Sequence, residues 1–466
     1  MTYPTPAHNA LAQLWHTAGL DPAALHYAHF TGSGPGLPSS FAVGVVAQAT
    51  IGAAALAAAS LWQQRTGAWQ TVTTDLAHAV TEFRSERYQR VNGQPAPELW
   101  NKIAGLYPCG DGGWVRLHTN FPHHRDGVLQ ILQCADSKEA VAEALLGWQA
   151  AAFEDEAARR GLVVTMMRSF AEWDAHPQAA AIAALPIFSI ERIGDAPPQP
   201  LPPGAARPLS GVRVLDLTRI IAGPVGGRTL AAHGADVLLV NSPNLPTIDA
   251  LNTDMARGKH ACYLNLTTEA DRAQLTTLAR GADVFIQGYR PGGLDALGFG
   301  PEALAAQRPG LVYVSLTAYG HTGPWAARRG FDSLVQTASG INHAEAAAAG
   351  STTPKPLPAQ ALDHGAGYLI ALGAMAALHR RASEGGSWHV RVSLAQTGRW
   401  LRSLGQNPAG LACPDPQYED VQAFMETHAS ALGEVRTVRH AAQLSATPAG
   451  WSRPAVALGS DAASWW

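Results

Sequence analysis

Charge is scarce in this sequence, and what there is of it forms no block. Asp, Glu, Lys and Arg make up 15% of the 466 residues, the formal net charge is −3, and neither a basic run nor an acidic tail occurs. No footprint for nucleic acid or anionic lipid is present, so neither partner is expected and any anionic ligand must be held locally. Cysteine is equally sparse. Cys109, Cys134, Cys262 and Cys413 lie far apart, with no CxxC pair and no zinc-ligand spacing, and read as reduced thiols. The first twenty residues lack a basic start followed by an apolar stretch and a small-residue cleavage site. Secretion is therefore not expected, and the cytoplasm is the expected location.

Hydrophobic residues, by contrast, reach 47%, enough for extensive burial and for a subunit interface, so an oligomer is expected. The length calls for two or three domains. The uncharged stretch Phe41 to Trp62 would span a bilayer by length, but alanine dominates it and Gln48 and Ser60 interrupt it. Its transfer into lipid would gain little, and a buried helix is the better reading.

Clustered prolines from Asp195 to Leu209 mark a linker. Beyond it the pattern is α/β, with strands expected at 212–217, 235–240, 261–266, 284–287 and 311–316 and helices at 224–233, 269–280 and 301–307. Strand-helix-strand crossovers of this kind give a parallel sheet. Before the linker come a long alanine-rich helix, a strand at 69–74, and mixed elements that include a strand at 114–118. Gly67 to Ala79 and Gly386 to Thr397 echo one another: a glycine turn, a tryptophan, an alternating strand and a helical start, each after an alanine-rich helix.

The segment Ala222 to Gly227, AGPVGG, falls between a strand and a helix, where backbone amides can meet phosphate oxygens or simply form a tight turn opened by Pro224. It is not GxGxxG, and Asn241 and Ser242 stand where a dinucleotide site needs an acid. Asp363 precedes Gly365 and Gly367 at the start of a long apolar helix. The dipole there would keep a carboxylate ionised and nucleophilic, and the glycines would let a bulky substrate approach, although a plain helix cap is the competing reading. His118, Asn120, His123, His124 and Arg125 form a polar cluster whose spacing matches no metal signature, so no metal is expected.

From Leu209 to about Leu404 an ordered series of segments resembles the N-terminal half of the family III CoA-transferases. They are LSGVRVLDLTRIIAGPVGGRTLAAHGADVLLV, RGKHACYLNL, ADVFIQGYRPGGLDALGFG, LVYVSLTAYGHTGPWAARRGFDSLVQTASG and ALDHGAGYLIALGAMAALHRR. The resemblance implies a Rossmann-like, parallel-sheet CoA-binding domain, a second and smaller α+β domain, and commonly an intertwined homodimer. It also implies that Asp363 carries the acyl group. CoA would be exchanged between an acyl-CoA donor and a small carboxylic acid through aspartyl anhydride and thioester intermediates, with coenzyme A as substrate and no permanently bound cofactor. Positions matching the family's CoA contacts are Ile221, Ala222, Cys262, Asn265, Gly288, Tyr289 and Arg290, with Arg257 and Lys259 as further cations for the phosphates. His118, Asn120, His123 and His364 are candidates for the substrate pocket.

Some relatives are instead racemases that use a histidine in a Gly-His-Asp triplet. Here the triplet is Gly330-Phe331-Asp332, whose phenylalanine cannot exchange a proton, and His364 is the candidate substitute. A non-catalytic CoA-binding protein is the alternative outside enzymes. Residues 1–194 resemble the later half of the same family, so the halves are in reversed order. Around Val45 to Ala47, where an equivalent of Asp363 would fall, only apolar sequence occurs, and this region is expected to be catalytically silent. The expected division is 1–194, a linker over 195–209, a catalytic region over 210–405, and a tail over 406–466 that packs on the large domain.

Overall fold

The computed structural model describes residues 5–466. Strand β1 (Ala28–Thr31) precedes the alanine-rich helix α1 (Val43–Thr66), and β2 (Val72–Asp75) with α2 (Leu76–Glu82) follows it. β1 and β2 pair in parallel, and the side chain of Asp75 caps α2 by accepting from the His78 amide at 3.1 Å. Strands β3 (Gly105–Pro108), β4 (Trp114–Leu117) and β5 (Val164–Met166) form a small antiparallel sheet over a separate apolar cluster that includes Val115, Leu117 and Phe153. β6 (Phe188–Gly194) then leaves this region for the main sheet.

The main sheet is built by β7 (Arg213–Leu217), β8 (Asp236–Asn241), β9 (Lys259–Tyr263), β10 (Val284–Gln287) and β11 (Val312–Thr317), with α3 (Ala222–Ala232) crossing between β7 and β8. Next come α4 (Asp332–Ala338), the long α5 (Ala361–Glu384), β12 (Ser387–Ser393) and α6 (Leu394–Ser403). The spatial order is β9-β8-β7-β10-β11-β12-β6, parallel except for β6, which runs antiparallel to β12. The chain therefore steps outward from β7 in one direction, returns, and steps outward in the other. At that reversal the ends of β7 and β10 lie side by side, with Leu217 opposite Gln287, and their connections leave in opposite directions to open a crevice.

In the main sheet the strands lie within a residue of their expected places except β9, which starts at Lys259 and ends at Tyr263, and before the linker β2 begins at Val72, three residues later than expected. Past β9 the chain turns: the Asn265 side chain accepts from the Thr267 amide, and Asp271 takes the Asn265 amide at 2.7 Å. The mixed α/β architecture is the one expected.

The two long helices α1 and α5 pack on one another in one continuous core. Both are long and apolar enough to cross a membrane, yet 94% and 100% of their apolar windows are buried within the protein. The echo between the halves is structural as well. Each long helix is followed by a strand and then a helix capped from the strand's last residue, Asp75 for α2 and Ser393 for α6. Residues 195–209 carry no helix or strand and are tied down at both ends. Gly386 donates to the Ala196 carbonyl at 2.9 Å, and Arg65 donates to the carbonyls of Pro202 and Pro208.

The tail reaches further than the large sheet. Its strands β13 (Met425–Ser430) and β14 (Gly433–Val438) pair with each other, β14 pairs with Arg90–Val91, and β15 (Ala442–Leu444) pairs with β2. Only the last residues return to the main sheet, where Asp461 accepts from the Ala261 amide and Ala455 packs with Leu239 and Ala261.

Candidate active site

Asp363 sits in the first turn of α5, and the amides there need acceptors. Asp332, at the start of α4, supplies one: its Oδ2 accepts from Leu362 N at 2.8 Å and from Asp363 N at 2.9 Å. The capping role thus belongs to a residue 31 positions upstream. The Asp363 carboxylate, 7% exposed, takes no hydrogen bond from any described residue.

Two cavities meet at that carboxylate. The first, about 460 Å³, is walled by Glu86, Trp100, His118, Asn120 and Leu251. The second, about 370 Å³, lies in the crevice at the ends of β7 and β10 and is walled by Ala222, Gly288, Tyr289, Arg290, His123 and His124, with Arg219, Arg328 and Arg329 adding positive charge. Ile220, Ile221, Phe331 and Asp363 belong to both. Ile220 has φ +74°, a left-handed conformation costly for a β-branched residue, and it marks local strain at the shared wall.

The electrostatics are dominated by burial. Burial raises the Asp363 carboxyl well above the ordinary carboxylate range, and the charges of Asp332 and Glu86 raise it further. Burial and these like charges work against the helix dipole expected to keep it ionised. Burial also lifts Asp332, to about 6, against the amides it accepts. Glu86 is raised by burial but lowered more by the hydrogen bond and charge of His364, 3.1 Å away, and ends below its usual value.

His118 stacks on Phe331 with ring centroids 3.9 Å apart, and burial with the nearby Arg116 charge pushes it down to about 3. It is a neutral wall at physiological pH. His124 is likewise pushed down to about 3, chiefly by burial. Asn120 holds the loop over the first cavity, accepting from Asn101 N and donating to Leu99 O, both at 2.9 Å.

Other expected residues lie elsewhere. Arg257 and Lys259 are neither exposed nor in the crevice. Lys259 Nζ is fully buried, 2.7 Å from Asp216 Oδ2 and 2.9 Å from Pro224 O, and Gly227 is required beside this pair because a Cβ there would meet Asp216 at 2.2 Å. Arg257 is tied to Asp254 at 2.6 Å and to the Val438 carbonyl at 2.7 Å. Asp254 also takes Arg228 at 2.6 Å and Ser85 at 2.5 Å, so the network joins α3, the N-terminal region and the tail. Buried charges had to be paired, and these cations serve that need instead of a ligand.

Cys262 belongs to the core under β9, and Asn265 to the turn beyond it; neither lines either cavity, because β9 is the edge strand, two places from the crevice. His364 points away from the Asp363 cavities, fully buried against Phe83 and bonded to Glu86. Adjacent helical residues project about 100° apart, which separates the two side chains. Gly365 and Gly367 admit no ligand: a Cβ at Gly367 would strike Ala222 O and Val225 at 2.6 Å, and one at Gly365 would press on Thr397 at 3.0 Å.

Several site residues escaped the sequence reading. Asp332 could have been suspected as an acid opening a helix, but Glu86, Trp100, Arg219, Arg328 and Arg329 carry no motif.

A parallel sheet with a crevice at its reversal point, and a buried carboxylate where that cationic crevice meets a second, mixed polar and apolar cavity, define an α/β protein with the start of a long core helix opening onto two cavities. The sequence model of CoA-transferase family III matches residues 17–199 and 209–407, and the chain belongs to that family. The match in two segments is consistent with halves in rearranged order. Among relatives, the acetyl-coenzyme A transferase nodX of Hypoxylon pulicicidum is 38% identical over 209 residues, 44% of this chain and 35% of the relative. An acyl-CoA transferase of Gibberella moniliformis is 31% identical over 316 residues, 63% of this chain and 55% of the relative. The chain thus spans about half the length, or less, of these curated relatives. The crystal structure of a CAIB/BAIF family protein from Brucella suis is 28% identical, covers 49% of this chain and 65% of its own, and superposes with a TM-score of 0.37.

Proposed function

We propose that the protein moves CoA from an acyl-CoA donor to a carboxylic acid, with Asp363 as the nucleophile and the two cavities dividing the substrate. The observation that carries this reading is that Asp363 is relieved of capping by Asp332 and faces the junction of both cavities. The second cavity, with Ile221, Ala222, Gly288, Tyr289 and Arg290 and the cations Arg219 and Arg329, takes CoA; the first takes the acyl group and then the acceptor acid.

The ionised Asp363 attacks the thioester carbonyl, the C–S bond breaks, and CoA thiolate leaves a mixed anhydride. The thiolate attacks the aspartyl carbonyl of that anhydride, releasing the donor acid and forming an aspartyl-CoA thioester. The acceptor carboxylate attacks that thioester, and the expelled thiolate then attacks the acceptor's carbonyl, giving the new acyl-CoA and free Asp363. One thioester replaces another, so the main demand is that the thiolate be held in place. A desolvated carboxylate with a raised pKa is the stronger nucleophile once ionised. His364, held by Glu86 inside the core, gives the racemase alternative no partner for Asp363.

We further propose a homodimer acting in the cytoplasm, with CoA entering and leaving as substrate and no resident cofactor. The test is isotope transfer from an acceptor acid labelled with oxygen-18. The mechanism predicts heavy oxygen in the Asp363 peptide after turnover with a panel of acyl-CoAs and acids. Formation of new acyl-CoA with no label in that peptide would refute it.

A further inference from the structure

Transfer of CoA leaves one acid of the first cavity without a task. Glu86 comes from the N-terminal region, which is expected to be catalytically silent, yet its buried side chain walls the cavity of about 460 Å³ that Asp363 also faces. The two carboxyls are near enough that the charge of Glu86 bears on Asp363. Glu86 Oε2 lies 3.1 Å from His364 Nε2. The other oxygen, Oε1, takes no hydrogen bond from another described residue, and the Arg87 guanidinium approaches it only to 3.7 Å.

His364 holds this acid in place. Its ring is fully buried and stacks on Phe83 with centroids 5.4 Å apart, and its Nδ1 has no hydrogen-bond partner. Nε2–H is therefore the group it presents to the carboxylate. Burial works to raise the Glu86 carboxyl, but the hydrogen bond and charge of His364 outweigh it, and Glu86 is ionised at neutral pH. Keeping an anion in this wall costs hydration and repels the acceptor carboxylate, so transfer alone gives no reason for it. A general base has to be ionised, fixed by a third group, and within reach of the proton it takes, directly or through the space of one water. The bond to His364 meets the first two needs. For the third, the cavity that Glu86 shares with Asp363 is roomy and has Gln360 as a further polar partner for water.

We propose that Glu86 activates water against the aspartyl-CoA thioester, so that the protein hydrolyses acyl-CoA when no acceptor acid occupies the first cavity. The water oxygen bonds to the aspartyl carbonyl carbon while Glu86 takes one of its protons. The C–S bond breaks, that proton passes to the CoA thiolate, and the second leaves as the regenerated Asp363 carboxyl ionises. Acyl-CoA and water thus give the free acid and CoA with no other reactant. This rests on the reading above that Asp363 forms an aspartyl-CoA intermediate.

The experiment follows release of CoA thiol from acyl-CoA in water enriched in oxygen-18, with and without an acceptor acid, for wild type, Glu86→Gln and Glu86→Asp. Wild type should release thiol without an acceptor, more slowly than it transfers CoA. In a first turnover, with protein in excess, the heavy oxygen should enter the Asp363 peptide and not the released acid. In Glu86→Gln the ratio of hydrolysis to transfer should fall by about tenfold or more, and Glu86→Asp should restore part of it. No thiol release by wild type, label that enters the released acid directly, a ratio unchanged in Glu86→Gln, or an equal loss of both activities overturns the proposal. Should Glu86→Gln fail to fold, Glu86→Asp decides by the same ratio, a fall upholding the proposal and an unchanged value overturning it. Transfer without hydrolysis sinks this inference alone, whereas hydrolysis that labels Asp363 with no transfer to any acid sinks the function proposed above alone.

Discussion

The N-termini of the two long helices make an instructive pair. Each helix has 24 residues, each is buried against the other, and neither receives a side-chain cap from its own N-cap residue, Ala42 in α1 and Gln360 in α5. At the third position α5 carries Asp363 and α1 carries Val45. The start of α5 is met by Asp332, which takes its free amides, and opens onto two cavities. No described acid takes the amides at the start of α1; a Cβ on Gly44 would lie 2.4 Å from Pro35 O, and the cavity beside Val45, about 410 Å³, has no charged residue in its wall. On the function proposed above, the repeated scaffold is reactive only where a second acid frees the first and where a cationic crevice opens in front of it.

The largest effect should come from removing the acid that distinguishes the two helices. Asp363→Asn is expected to lower CoA transfer by at least about 10³-fold, read as initial rate with saturating acyl-CoA. The same change should stabilise the fold. A carboxyl whose folded pKa is raised contributes stability that is complete below its unfolded pKa and is lost as pH rises through the folded value. Asn cannot ionise, so thermal melts should show Asp363→Asn gaining on wild type at mildly alkaline pH and matching it in acid.

Next in size is the buried pair of Asp216 with Lys259, a residue expected from the sequence to be a cation for the CoA phosphates. Lys259→Met leaves Asp216 charged and unpaired in the core, and denaturant unfolding should show a loss of about 3–5 kcal/mol. Where the variant folds, its affinity for CoA should equal that of wild type.

Asp332→Asn keeps an oxygen for the Leu362 and Asp363 amides but removes a charge that helps raise Asp363. The acid limb of the rate profile, which reports ionisation of Asp363, should move to lower pH. Asp332→Ala, which also removes the acceptor, should cost about 1–2 kcal/mol of stability. The smallest change is expected from giving α1 its missing acid: Val45→Asp should yield no second reactive site and no gain in rate, because no described carboxylate takes the first amides of α1 as Asp332 takes those of α5, and the cavity of about 410 Å³ beside Val45 has no cation in its wall.

Much of this was legible in the sequence where local pattern governs. Short apolar runs such as Val284–Gln287, bounded by turn residues and alternating with helical segments, read as buried strands joined by crossovers. Asp363 stood out through the resemblance of its surrounding segments, and Ile221, Ala222, Gly288, Tyr289 and Arg290 were singled out through the same resemblance. What could not be read was pairing at a distance. Lys259 looks the same in sequence whether water or Asp216 receives it, and Arg257 gives no sign of Asp254 or of the Val438 carbonyl. Gly367 looked like room for a substrate and is room for α3. Arg116 alternates on its strand like any outward residue, and only the fold places Trp100 beneath it and the charge of Asp332 nearby.

The most direct test is chemical trapping at Asp363. Wild-type protein incubated with a panel of acyl-CoAs and then with hydroxylamine should carry a hydroxamate on the peptide containing Asp363, seen by mass spectrometry and absent from Asp363→Asn. Transfer of CoA with that peptide unmodified, or modification that persists in the variant, would contradict the account.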